Sequence, residues 1–118
     1  MKSYLFVLQK PPHSGAYAQE LLDIILTTAA FDQAVSILLL DDSVFQLKKG
    51  QHPGIAGMKD TAAIFNALEI YDVNDIYTEL ESLQQRGLTP DDLSLPVQAL
   101  HRKDIAGLMQ RFDIVFFG

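Results

Sequence analysis

The chain contains no cysteine among its 118 residues. Without thiols it forms no disulfide, offers no thiolate to a metal, and carries neither a persulfide nor a cysteine nucleophile. The apolar run within residues 1–10 is too short for a secretory signal, and no small-residue cleavage site follows it. No stretch approaches the length of a membrane span. We therefore expect a cytoplasmic protein that performs no sulfur chemistry on its own side chains.

Basic residues are also scarce. Nine Lys and Arg stand against fifteen Asp and Glu, so the net charge is −6. Nucleic-acid binders carry a basic patch that displaces counterions from phosphates. The sequence therefore predicts no direct binding of nucleic acid. With 48% hydrophobic residues, the chain has the size and composition of a single globular domain spanning residues 1–118.

Short apolar segments alternate with helical patterns along the chain. Nearly unbroken apolar runs are typical of strands that crossover helices bury on both faces. The predicted strands are Ser3–Gln9, Val35–Leu40, Asp75–Glu79, Val97–Leu100 and Asp113–Phe117. Helical spacing covers residues 18–29, 61–68, 80–86 and 105–112, with Gly87 as a left-handed stop. This order predicts a three-layer α/β/α fold with a mostly parallel five-stranded sheet.

The turn from Lys10 to Gly15 follows the first predicted strand, where α/β folds often bind phosphate. It has no glycine-rich phosphate fingerprint, so we interpret it mainly as a rigid turn with Ser14 as N-cap. An independent ligand-binding domain or enzyme that uses His13 and Ser14 remains the alternative function.

Other polar residues give weaker signals. Asp41 and Asp42 follow the second predicted strand, and a solvated turn is a better interpretation than a metal site. His13, His52 and His101 share no zinc-binding spacing, so we expect neither a metal nor a cofactor.

The segment after the second strand is unusually apolar for a connection. Val44, Phe45 and Leu47 lie within the predicted irregular stretch 41–59. Apolar side chains in a loop either fold back on the core or face a partner. We hypothesise that these three residues lie at a subunit interface.

The same segment resembles a known family. Residues 40–47 (LDDSVFQL), followed by Lys49-Gly50-Gln51, are similar to a motif of the DsrE/DsrF-like sulfur-relay proteins. Pro12-His13-Ser14-Gly15 and the segments 68–72, 83–88 and 112–115 resemble the family in the same order. The resemblance implies the family's fold and a role as a non-catalytic subunit of a heteromeric sulfurtransferase complex.

In that complex, the resemblance further implies TusB-like and TusD-like paralogous subunits in a heterohexamer. TusA-like and TusE-like sulfur carriers would be indirect partners, and the product would be 2-thiolated wobble uridine in tRNA. The TusD-type subunit carries sulfur on a cysteine, and the position matching it here is Glu79. A carboxylate forms no persulfide, so the resemblance transfers a scaffold role and no catalytic residue.

Overall fold

The computed structural model describes residues 2–9, 17–31, 34–47, 73, 75–93 and 97–117. Within these ranges it contains five strands, three α-helices and two 3-10 helices. The strands are β1 (Ser3–Leu8), β2 (Ala34–Leu39), β3 (Asp75–Glu79), β4 (Gln98–Leu100) and β5 (Ile114–Phe117). The α-helices are α1 (Tyr17–Ala30), α2 (Leu80–Gln85) and α3 (Arg102–Met109). The 3-10 helices are Asp41–Leu47 and Pro90–Asp92.

The five strands form one sheet in the order β4-β3-β2-β1-β5, and every neighbouring pair is parallel. The predicted α/β fold with a parallel sheet is confirmed. The strand order, which the residue pattern did not contain, brings the carboxyl ends of β2, β3 and β4 side by side.

The sheet separates two apolar clusters because successive side chains of a strand point to opposite faces. Phe6 and Leu8 of β1 lie in one cluster with α1 and α2, whereas Leu5 and Val7 lie in the other with α3. Helices therefore cover both faces, which accounts for the nearly continuous apolar runs of the central strands β1 and β2. Leu5, Leu8, Ile25, Ile37, Leu38, Leu39 and Leu83 are among the most deeply buried side chains.

The connection after β2 differs from the sequence prediction. Residues 41–47 form a 3-10 helix and not an irregular loop. Val44 is fully buried within the α1-side cluster. The hypothesis that Val44 faces a partner is therefore corrected, because a side chain without exposed area in its own chain has no surface to offer. The side chains of Phe45 and Leu47 lie outside the described residues, as does the predicted helix over 61–68.

Gly87 lies in the turn that terminates α2. Its φ is +69°, in the left-handed region that favours glycine. Its N–H donates to the carbonyl of Gln84, and the N–H of Leu88 donates to the carbonyl of Leu83. The predicted left-handed stop is confirmed.

Across the described ranges, no helix combines the length and apolar character needed to cross a membrane.

Candidate functional site

A group of polar side chains lies where β2, β3 and β4 end. Asp41 follows β2, Glu79 is the last residue of β3, and Arg102 begins α3 just after β4. Parallel strands present their carboxyl ends at one edge of a sheet, which is where α/β proteins place ligand sites. We call Asp41, Glu79, Ser82 and Arg102 the carboxyl-edge network.

Glu79 is the buried charge of this network. Only 8% of its side chain is exposed, although it ends a strand and serves as the N-cap position of α2. Its Oε1 accepts a hydrogen bond of 2.7 Å from the Ser82 hydroxyl and one of 3.0 Å from the Arg102 guanidinium. A buried carboxylate is stable only with such partners, and here it has two.

The proton on Ser82 has a defined direction. The Ser82 Oγ accepts the backbone N–H of Asp41 at 2.9 Å, so its own hydrogen is free to donate to Glu79. Asp41 has a φ of +51°, an uncommon conformation for a residue with a side chain and one that Asp tolerates better than most. The end of β2 is thereby joined to the carboxylate at the end of β3.

Arg102 joins the third strand end. As the first residue of α3, it places a positive charge near the positive end of that helix, which is unfavourable in isolation. Glu79 offsets this charge through a 3.0 Å ion pair, and Glu81 accepts the Arg102 backbone N–H with both carboxylate oxygens, at 2.9 and 3.0 Å. The network therefore explains a charge that helix rules alone disfavour.

Electrostatics keep Glu79 ionised. The hydrogen bond from Arg102 lowers the pKa of its carboxyl group, and the bond from Ser82 and the charges of Arg102 and Arg86 act in the same direction against burial. The same contact with Glu79 raises the pKa of Arg102. Glu79 is thus a permanent anion near neutral pH and is unsuited to act as a general acid.

A second ion pair borders the network. The Arg86 Nε donates to Asp42 at 3.0 Å, and its Nη1 donates to the carbonyl of Ser82 at 3.1 Å. The Asp42 carboxylate is thus already paired with a protein cation, which is not the arrangement of a metal ligand. Among the residues that the structure describes, no group of His, Asp and Glu could hold a metal ion.

The other predicted site residues do not join this group. His101 is exposed, with its Nδ1 3.9 Å from Glu81. His13, Ser14 and His52 fall outside the described residues, so the alternative site at the first turn is not tested by the structure.

Sequence reasoning missed Ser82 and Arg102. Ser82 lies three residues after Glu79 within one turn of helix, which is a usable local signal. Arg102 gave a second signal, since a cation at a helix start is unfavourable and a nearby carboxylate would offset it. What the sequence lacked was the strand order that brings position 102 to position 79.

The comparisons with known proteins agree with the fold and the motifs. The profile of the DsrE/DsrF-like family matches residues 2–117. The chain therefore belongs to the DsrE/DsrF-like family, a class of parallel α/β proteins. In this chain, position 79 at the end of the third strand is a buried carboxylate.

Among individual relatives, the chain is 42% identical over 114 residues to a TusC homolog of Pseudomonas aeruginosa, covering 97% of this chain and 96% of the relative. It is 43% identical over 93 residues to the intracellular sulfur oxidation protein DsrF of Allochromatium vinosum, covering 79% and 68%. The crystal structure of the YchN protein from E. coli covers both chains completely with a TM-score of 0.85 and 17% identity, which shows the shared fold.

Proposed function

We propose that this chain is a non-catalytic subunit of a heteromeric sulfur-relay complex that supports 2-thiolation of wobble uridine in tRNA. In this complex the chain takes the position of a TusC-type subunit, a single DsrE/DsrF-like domain beside TusB-like and TusD-like partners. Sulfur passes between cysteines of other subunits and of TusA-like and TusE-like carriers. The observation that carries the proposal is near-full-length similarity to a TusC homolog in a chain without cysteine.

The carboxyl-edge network supports the non-catalytic part of the proposal. The position that the family resemblance matches to a sulfur-carrying cysteine is Glu79, whose side chain is buried and ionised. A carboxylate neither forms a persulfide nor attacks one as a thiolate does. Catalysis in the complex therefore belongs to a partner subunit.

Exposed apolar side chains support assembly with partners. Phe116 and Phe117 of β5 are 42% and 61% exposed on a strand at the edge of the sheet. As consecutive strand residues they lie on opposite faces of the sheet, so both faces carry exposed apolar surface at the β5 edge, which is a position suited to contact with a neighbouring subunit. Phe45 and Leu47 remain the proposed interface residues on the other segment, whereas Val44 belongs to the chain's own core.

A second candidate function is a subunit of a sulfur-oxidation system, favoured by the 43% identity to DsrF. The two functions share relay chemistry and differ in the pathway served. Deleting the gene and measuring 2-thiouridine in bulk tRNA by mass spectrometry separates them. The tRNA role requires loss of the modified nucleoside and its return when the gene is supplied again. Unchanged 2-thiouridine together with impaired sulfur oxidation would establish the second function.

Assembly gives a direct test of the subunit role. Phe45→Ala is expected to weaken association with the partner subunits about thirty-fold or more, as truncation of an interface aromatic residue does. Dissociation is measured by affinity pull-down and analytical ultracentrifugation, with melting of the isolated chain recorded alongside.

Phe6→Ala is the matched control, because Phe6 is 2% exposed and lies in the core. It should lower the melting temperature of the isolated chain by many degrees. If Phe45→Ala lowers melting in the same way and leaves the complex intact, Phe45 belongs to the core and the interface hypothesis is wrong.

A further inference from the structure

The two donors that hold Glu79 are themselves held by other groups. The Ser82 hydroxyl accepts the Asp41 N–H, and the Ser82 carbonyl accepts a hydrogen bond from Arg86. The Arg102 backbone is anchored by Glu81. None of these anchors involves the Glu79 carboxylate. The Ser82 hydroxyl and the start of α3, from which the Arg102 side chain extends, should therefore stay in place when that carboxylate is removed, so that only the Arg102 guanidinium has to be reordered by a replacing anion.

The site is also reachable from solvent. The Glu79 side chain is 8% exposed, whereas the Arg102 side chain that covers it is 56% exposed. A small ligand in place of the carboxylate would therefore have the fully buried Ser82 on its inner side and the exposed Arg102 on its outer side.

The surrounding charges define the ligand. The cations of Arg102 and Arg86 favour an anion at Oε1, and both lower the pKa of Glu79. The carboxylates of Asp41 and Glu81 act on Arg102 from the adjoining elements and limit the negative charge that the site tolerates. A small monovalent anion therefore fits better than a divalent one.

We propose that Ser82 and Arg102 form the donor set of an anion-binding site whose ligand in this protein is the chain's own Glu79 carboxylate. By occupying the site, Glu79 excludes small monovalent anions of the carboxylate or thiolate class from the carboxyl edge of the sheet. This binding is a property of the isolated chain and does not depend on the sulfur-relay function.

The test is rescue of Glu79→Ala by formate or acetate. Removing the side chain vacates the site, so either anion should raise the melting temperature of this variant, by about 4 °C at ten times its dissociation constant. The rise is taken as the excess over that of the double variant Glu79→Ala/Arg102→Ala in the same salt, because chloride is itself a small monovalent anion and cannot serve as a neutral reference. The wild type, the double variant Glu79→Ala/Arg102→Ala, and Glu20→Ala at an exposed position of α1 should show no such rise.

Equal rises in the single and double variants, or no rise in a folded Glu79→Ala protein, would overturn the proposal. If Glu79→Ala does not fold, Glu79→Cys provides the measurement, because it introduces the sole thiol of the chain. Its thiol should titrate below the ordinary value of about 8.5 and return upward when Arg102→Ala is added. A thiol pKa at or above that value, unaffected by Arg102→Ala, would equally refute the site.

Discussion

The two ends of the parallel sheet are each tied by a carboxylate, in opposite environments. At the carboxyl end, buried Glu79 accepts hydrogen bonds from Ser82 and Arg102. At the amino end, exposed Asp113 accepts the backbone N–H of Ser3 at 2.8 Å and its hydroxyl at 3.1 Å, while the Ser3 Oγ accepts the Asp113 N–H at 3.0 Å. Hydrogen bonding to the charged form lowers the pKa of both carboxyl groups.

The difference lies in what each carboxylate would lose. Asp113 is surrounded by water, which replaces most of its hydrogen-bond energy when Ser3 is lost. Glu79 is screened from water, so its partners must be satisfied within the protein. The two ends also differ in how many strands their contacts connect. The contact at the amino end joins the neighbouring strands β1 and β5, whereas the carboxyl-edge network joins the ends of β2, β3 and β4.

Among substitutions that test this difference between the two ends of the sheet, Glu79→Ala should destabilise the fold most. It removes two hydrogen bonds, leaves the buried Ser82 hydroxyl without its acceptor, and opens a small void. We expect a loss of about 2–3 kcal/mol in the free energy of unfolding. Urea denaturation measures it, with Glu20→Ala at an exposed position of α1 as the control. Equal losses of unfolding free energy in the two variants would show that the buried network stabilises the fold no more than an exposed carboxylate does.

Acidification should remove part of the same stabilisation. The pKa of Glu79 is lowered in the folded protein, so its charge stabilises the fold above the unfolded pKa of about 4.3 and ceases to do so as the pH falls through the folded pKa. The difference in free energy of unfolding between the wild type and Glu79→Gln should therefore become smaller below about pH 4. Denaturation at a series of pH values tests the sign, and a gap that widens in acid would contradict it.

Asp113→Asn should have the smallest effect. Its contacts with Ser3 are exposed, so we expect the melting temperature to fall by no more than about 2 °C. Asp23→Asn, an exposed change on α1, is the reference that shows the effect of removing a surface charge alone. A drop as large as that of Glu79→Ala would erase the proposed difference between the two ends of the sheet.

Much of the fold follows from local pattern. The apolar runs of β1 and β2 identify buried strands because helices cover both faces of the sheet, and β3 begins and ends as predicted. The run of β5 also forms a strand, but at the edge of the sheet, where its last two residues are exposed. Gly87 marks the end of α2 because only a residue without Cβ adopts a φ of +69° at little cost. The absence of cysteine from the sequence means that these residues form no cysteine persulfide, whatever their tertiary structure.

The carboxyl-edge network could not be derived in the same way. Glu79 and Arg102 are 23 residues apart, and only the pairing of β3 with β4 brings them to 3.0 Å. Val44 shows the same limit, because an apolar residue in a connection fits an interface and a core equally well until its neighbours are known. Composition and periodicity determined the buried strands, the helices α1 and α2 and the missing thiol, since these depend on neighbours along the chain. Strand order determined which charges meet, because burial and ion pairing depend on neighbours in space.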